Sequence, residues 1–368
     1  MRGDEDPLIV RRDGRGPRYE TGRMPSFYSE CVLLHPPKRP CEPHLVRPTF
    51  DIVATLGPAS FGMTRDLARA GATALRFNAS HLSPADLAQR AAQAHRDAPG
   101  LPLVVDLQGA KMRVGHLAER EVAAGTRVRF SVEPASAEDV PLPHPELFAA
   151  AEVGETVGLD DGRLRFLVRG CGPGWLEAEA LVAGVLRPRK GVNLLEHPVR
   201  LSGLTPADAE RLDAVRSLPG VQVAWSFTLD GREAEWVRAR RPATPVIAKI
   251  ERREAVAALG EIARRVDAVW VCRGDLGEQL GPAELGSFVG SLAPARFACP
   301  VLMAGQVLEH LTRHREPTRS ELCHLHDLVT RGYAGAVLSD ETAIGLHPVH
   351  AVEEAAALVR AFSNQRRP

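Results

Sequence analysis

Residues 246–277 read VIAKIERREAVAALGEIARRVDAVWVCRGDLG. Residues 246–250 and 268–271 are short runs that are almost wholly apolar, the pattern of strands buried on both faces. Between them, residues 253–264 mix apolar and charged positions at helical spacing. A buried strand, a helix and a second buried strand make one parallel crossover unit.

The same unit recurs in both directions. Further apolar runs lie at 52–54, 72–77, 103–105, 221–225, 301–304 and 336–338, with helical patterns at 64–70 and 84–94. Together these are eight buried strands, which predict a closed (β/α)8 TIM barrel of α/β class rather than an open sheet. The alternation lapses between residues 116 and 189. There the chain reads as hairpins, at 127–132, 155–159, 164–168 and 176–183, with an Asp160-Asp161-Gly162 turn. This predicts a small all-β domain inserted after strand three. Residues 1–47 are rich in Arg, Pro and Gly and read as an extension, flexible or packed over the body. The expected organisation is therefore an extension over 1–47, a barrel over 48–115 and 190–368, and an inserted β domain acting as a lid over 116–189.

Basic and acidic residues number 46 each, which argues against a polyanion binder and against nucleic acid as a partner. No apolar run approaches the ~20 residues of a membrane span, and acidic residues in the first segment fit neither a signal nor a transit peptide. Cys31, Cys41, Cys171, Cys272, Cys299 and Cys323 are scattered, so reduced thiols and a cytoplasmic location are expected. A homo-oligomer formed through the barrel is compatible with this reading.

Reactive groups in such barrels sit past the C-terminal strand ends. Lys249 and Glu251 end strand five, two residues apart on one face, and Arg273-Gly274-Asp275-Leu276-Gly277 follows strand six. Glu251 and Asp275 suit one hard divalent cation completed by water and substrate oxygens. Lys249 beside that cation suits a phosphate, and Gly274 and Gly277 let backbone N–H groups approach an anion. Alone, Lys249 and Glu251 read as solvated charges; joined to the following RGDLG, the functional reading is the better one. Arg76 after strand two and Arg113 beyond strand three suit bidentate phosphate contact, although each alone is more often a surface ion pair. Cys323, His324 and His326 lie in a helical stretch where they do not all face one metal.

The segments IVATLGPAS from Ile52, LRFNASH from Leu75, AKIER from Ala248, CRGDLG from Cys272, PTRSE from Pro317 and LSDETA from Leu338 resemble the signatures of pyruvate kinase, in order and spacing. KGVNL at Lys190 closes the inserted domain, and the resemblance spans roughly residues 50–362. It implies transfer of the phosphoryl group of phosphoenolpyruvate to ADP, giving pyruvate and ATP, with Mg2+ or Mn2+. It also implies that Lys249 stabilises the phosphoryl group in flight, that Glu251 and Asp275 bind the metal, and that Arg76 contacts phosphate. The N–H groups of Gly274 and Asp275 would hold the substrate carboxylate, and Ser226 and Phe227 match the pocket after strand four. Thr55, Pro58, Asn78, His81, Arg113 and Lys190 match positions that meet the nucleotide.

Three departures stand out. Gly305 replaces the Thr that lines the carboxylate and proton-delivery side. Lys111 replaces a Glu, and Leu107 a Thr, of potassium-dependent members. This predicts that the Lys111 ammonium, near Asn78, Ser80 and Asp106, hydrogen-bonds Asp106 in the cation's place and that K+ is not required. The chain ends at Pro368, so the C-terminal effector domain of the family is expected to be absent, and no adenine-packing aromatic lies near Asp86. Two rival readings remain: a metal-dependent lyase acting through a pyruvate enolate, and a non-catalytic metabolite-binding homologue. Gly305 favours the lyase, whereas Lys249, Arg76 and Arg113 favour phosphoryl transfer. The full set of Lys249, Glu251 and Asp275 argues against a mere binding module.

Overall fold

The computed structural model describes residues 50–160 and 162–364. The extension expected over residues 1–47 lies outside them. The eight expected strands are all present: β1 (Asp51–Leu56), β2 (Ala74–Asn78), β3 (Leu103–Leu107), β4 (Val221–Trp225), β5 (Val246–Ile250), β6 (Ala268–Cys272), β7 (Val301–Ala304) and β8 (Gly335–Leu338). Each pairs in parallel with its sequence neighbours, and β1 pairs with β8 to close the barrel.

Alternation along these strands sorts the side chains. Val53, Val104, Ala224, Ile247, Trp270, Cys272, Leu302, Ala304 and Val337 form one interior cluster. The intervening residues, among them Ala54, Leu75, Val105, Val223, Ala248, Val271 and Met303, pack in the larger cluster shared with the surrounding helices. Both faces of every barrel strand are therefore apolar, which is why the strands read as unbroken runs. Helix starts follow their capping residues. Ser83 and Thr205 accept the N–H groups of Asp86 and Asp208, and Thr318 with Glu321 makes a capping box. The helix expected over 253–264 is two pieces, Arg253–Ala257 and Leu259–Arg265, parted at Ala258.

Between β3 and β4 lies a six-stranded sheet. Its order is Val192–Leu194, Thr156–Leu159, Leu164–Gly172, Trp175–Ala180, Arg127–Ser131 and Val140–Pro141. A two-stranded ribbon, Arg120–Val122 with Gly184–Leu186, accompanies it. It has its own core, in which Phe130 meets Phe166 edge to face at 5.2 Å. This sheet outruns the 116–189 limits expected from sequence. Val192–Leu194 pairs with Val157–Leu159, and Met112, Val114 and Val199 pack into the same core. Val192 and Leu194 are buried while Asn193 between them is not, so that segment is a strand of the insert.

Barrel closure leaves no room at Gly335: a Cβ there would lie 2.5 Å from the Asp51 carbonyl oxygen. Gly335→Ala should therefore lower stability by about 1–3 kcal/mol, the usual range for overpacking. Gly286, inside the helix Pro282–Ser291, has nothing within 4 Å of the same position. Gly286→Ala should raise stability by about 0.5–1 kcal/mol through helix propensity. Urea midpoints of the two variants should move in opposite directions.

Candidate active site

Lys249, next to last in β5, is 7% exposed. Its Nζ lies 2.9 Å from Ser226 Oγ, 2.9 Å from Glu251 Oε1 and 3.1 Å from Asp106 Oδ2. Burial pulls its pKa down, but the charges of Asp106 and Glu251 together outweigh that and hold it above the ordinary lysine value. Asp106, at the end of β3, also accepts Arg76 Nε at 2.8 Å and Nη2 at 2.6 Å, with Ser226 Oγ at 3.2 Å. Burial alone would raise the Asp106 carboxyl; Lys249 and Arg76 hold it below the usual range. Arg76 Nη1 donates to Thr55 Oγ1 at 3.0 Å.

Glu251 Oε2 accepts the Phe227 N–H at 2.8 Å. Its pKa is pushed up, first by burial and further by the Asp275 charge, against the pull of Lys249. Asp275 lies in the first turn of the helix Arg273–Leu280, which starts directly from β6. Its two oxygens lie 2.5 and 2.7 Å from Lys111 Nζ. Burial would raise its pKa, but Lys111 brings it below the ordinary value. Glu251 and Asp275 both line one cavity, and two carboxylates there suit a shared hard cation.

A cavity of about 170 Å3 lies among these groups. Arg76, Asn78, Ser80, Lys111, Arg113, Ser226, Lys249, Glu251, Gly274, Asp275 and Gly305 all line it. Thr55 and Asp106 sit buried behind Arg76. Phe227 faces a neighbouring cavity of about 360 Å3, which Lys111 and Asp275 also line. Pro58 and His81 are not among the lining residues of the smaller cavity, and Lys190 pairs with Asp160 of the insert at 2.8 Å. Burial and the nearby Arg113 push His81 below the usual histidine value.

One expectation is corrected. Lys111 does not bond Asp106, and it is Asp275 that takes its ammonium. Asp106 is already balanced by Arg76 and Lys249. Asn78 Oδ1 accepts Ser80 Oγ at 2.7 Å.

Gly305 has φ +81°, a left-handed conformation that favours glycine. A Cβ there would lie 3.6 Å from Gly274 N, so space exists although the backbone disfavours a side chain. Arg273 fixes this wall: its Nε and Nη2 donate to the Gly305 carbonyl at 3.0 and 2.6 Å. Its Nη1 lies 2.9 Å from His324 Nε2. Burial and Arg273 push His324 down to about 4, so it is neutral at pH 7 and accepts that bond. His326 packs against Phe362, and no group of three metal-ligating side chains occurs among the described residues.

Sequence reasoning missed two residues. Cys272 lines the cavity, and its period-two spacing from the interior Trp270 signals an inward direction. Asp208 is fully buried and accepts the N–H groups of Gln108 at 3.1 Å and Gly109 at 2.9 Å, holding the loop that leads to Lys111. Nothing local to that loop points to it.

Comparison with known proteins bears on the same groups. The family described as pyruvate kinase, barrel domain, matches residues 47–352. A pyruvate kinase of Agrobacterium vitis is 36% identical over 319 residues, covering 82% of this chain and 66% of that protein. Pyruvate kinase PKLR of Homo sapiens is 33% identical over 349 residues, covering 87% and 60%. The crystal structure of pyruvate kinase from Pyrobaculum aerophilum superposes with a TM-score of 0.70 at 26% identity, over 84% of this chain and 73% of that one. The chain thus spans about two thirds of the length of the curated relatives it matches. The match runs through all eight strands whose ends carry Arg76, Asp106, Lys249, Glu251 and Asp275, and by that extent this chain belongs to the pyruvate kinase family.

Proposed function

We propose that this chain transfers the phosphoryl group of phosphoenolpyruvate to ADP, with Mg2+ or Mn2+ held by Glu251 and Asp275. The observation that carries this is the Lys249 ammonium, held between Asp106 and Glu251 at the cavity floor with Arg76 beside it. Lys249 remains charged throughout the working pH range, so its role is that of a fixed positive charge and not of a proton shuttle. Glu251 would gain from a divalent cation, because burial and the Asp275 charge both oppose its ionised form. Held by Glu251 and Asp275, such a cation would supply positive charge to the phosphoryl oxygens.

The chain's own groups supply the rest. Arg76 and Lys249 orient the phosphoryl group, and the N–H groups of Gly274 and Asp275 at a helix N-terminus receive the substrate carboxylate. Pro58, Asn78, His81, Arg113 and Lys190 serve the nucleotide side, buried Thr55 positions Arg76, and the inserted sheet acts as a lid that excludes water. Its substrates are soluble acids and nucleotides handled in the cytoplasm. No helix among the described residues is long and apolar enough to cross a membrane. The lyase reading draws on Gly305, which widens the pocket over Gly274.

Lys249→Met should lower pyruvate formation by roughly a hundredfold or more. It also strips two buried carboxylates of a counter-ion, so thermal melting should be measured alongside, with Lys249→Arg as a charged control. Near-normal turnover of a folded Met variant would remove Lys249 from the chemistry.

Turnover should change less than about twofold, within the ordinary spread of a surface charge effect, when potassium replaces tetramethylammonium at constant ionic strength. The reason is that Lys111 already supplies a cation to the cavity. A steep potassium activation would show that Asn78, Ser80 and Asp106 still hold the ion.

Gly305→Thr should cost about 1–3 kcal/mol of stability, because a β-branched residue is strained at positive φ, and should not raise turnover. Faster pyruvate formation by this variant would show instead that a missing hydroxyl limits the wild-type protein.

A further inference from the structure

We propose that Lys111 is a built-in competitor for the metal, an ammonium seated on Asp275 that a divalent cation must displace and that an incoming anion draws away. This rests on the reading that Glu251 and Asp275 hold the metal. Lys111 Nζ engages both oxygens of Asp275, at 2.5 and 2.7 Å, and the two side chains are only 21% and 22% exposed. A hard cation needs those same oxygens at its own bonding distance, so the two positive charges exclude each other there.

The surroundings leave Lys111 little choice of partner. Asp106 is taken up by Arg76, Lys249 and Ser226, and Glu251 by Lys249 and the Phe227 N–H. The Lys111 backbone is held in place: its N–H donates to the Gln108 carbonyl at 3.1 Å, and its carbonyl accepts Gln108 Nε2 at 3.0 Å. Gln108 and Gly109 are in turn fixed by Asp208. Only the flexible stem of Lys111 can move. An anion entering the cavity, which Arg76, Arg113 and Lys249 also line, offers the ammonium a new partner. Metal entering alone works against Lys111, whereas metal entering with an anion does not. The two bindings therefore reinforce each other, and the reinforcement is reciprocal.

Mn2+ binding to the full chain, followed by titration calorimetry or electron paramagnetic resonance, tests this without turnover. Lys111→Met should bind Mn2+ about tenfold more tightly than wild type or better, the scale of a lost like-charge contact in a partly buried site. Lys111→Arg should stay close to wild type, and thermal melts should confirm that all variants are folded. Phosphoenolpyruvate, added without nucleotide, should tighten Mn2+ binding in the wild type and much less in Lys111→Met. Unchanged or weaker affinity in Lys111→Met, while Asp275→Asn loses affinity, overturns the proposal and leaves the metal site standing. Equal tightening by phosphoenolpyruvate in both proteins overturns the coupling. Unchanged affinity in Asp275→Asn overturns the metal site and the proposal with it.

Discussion

A lysine ammonium shut away from water must be surrounded by anions or give up its proton, and Lys249 is surrounded by Asp106 and Glu251. The arrangement continues outward in alternating sign. Arg76 balances Asp106 on one side, and Lys111 balances Asp275 on the other. Three cations, Arg76, Lys249 and Lys111, meet three anions, Asp106, Glu251 and Asp275, so the formal charge of the group is zero. These residues come from β2, β3, β5, the loop after β3 and the helix after β6. Only a closed barrel brings those strand ends to one mouth, and removing Lys249 leaves buried Glu251 without its counter-ion. The fold and the site are therefore stabilised by the same contacts.

Fixed charges are useful only if the loops carrying them are also fixed. Three buried carboxylates do this at the same end of the barrel. Asp208 takes the N–H groups of Gln108 and Gly109 after β3. Glu233 takes those of Leu229 and Gly231 after β4. Glu341 takes those of Leu308 and Ser339, tying the loops after β7 and β8 together. Burial raises the pKa of Asp208 and of Glu341, while the backbone donors pull the other way. Each carboxylate thus spends its hydrogen-bonding capacity on loop backbone, which holds the site ready before any ligand arrives.

The barrel was legible because burial on both faces makes its strands nearly unbroken apolar runs, as in Ala268–Cys272. The acidic and basic residues at the ends of those strands were legible for the same reason: charge directly after a buried strand stands out. The partner of Lys111 was not legible. Its direction depends on a loop anchored by Asp208, 99 positions beyond Gly109 in the chain, and on Asp106 having been filled by other cations. The KGVNL segment was read as closing the insert, but its pairing as a strand with Thr156–Leu159, well upstream, was not legible. At Gly305 the residue type shows that a hydroxyl is missing, but only the backbone conformation shows that a Thr would be strained there.

The insert joins the barrel through two crossings of the chain that are bonded to each other. Val192 N–H donates to the Met112 carbonyl, Val114 N–H to the Lys190 carbonyl, and Arg189 N–H to the Val114 carbonyl. Arg113 and Gly191 face each other in an antiparallel bridge within that neck, and Arg113 Nη1 reaches the Arg189 carbonyl at 2.7 Å. Arg113 and Lys190, the two cations expected on the nucleotide side, therefore share one hydrogen-bonded ribbon. Asp160, from the hairpin turn of the insert, holds Lys190 at 2.8 Å and so binds that cation to the sheet rather than to the barrel floor. Arg113 and Lys190 thus belong to the neck of the insert, whereas Arg76, Lys249 and Glu251 belong to the barrel.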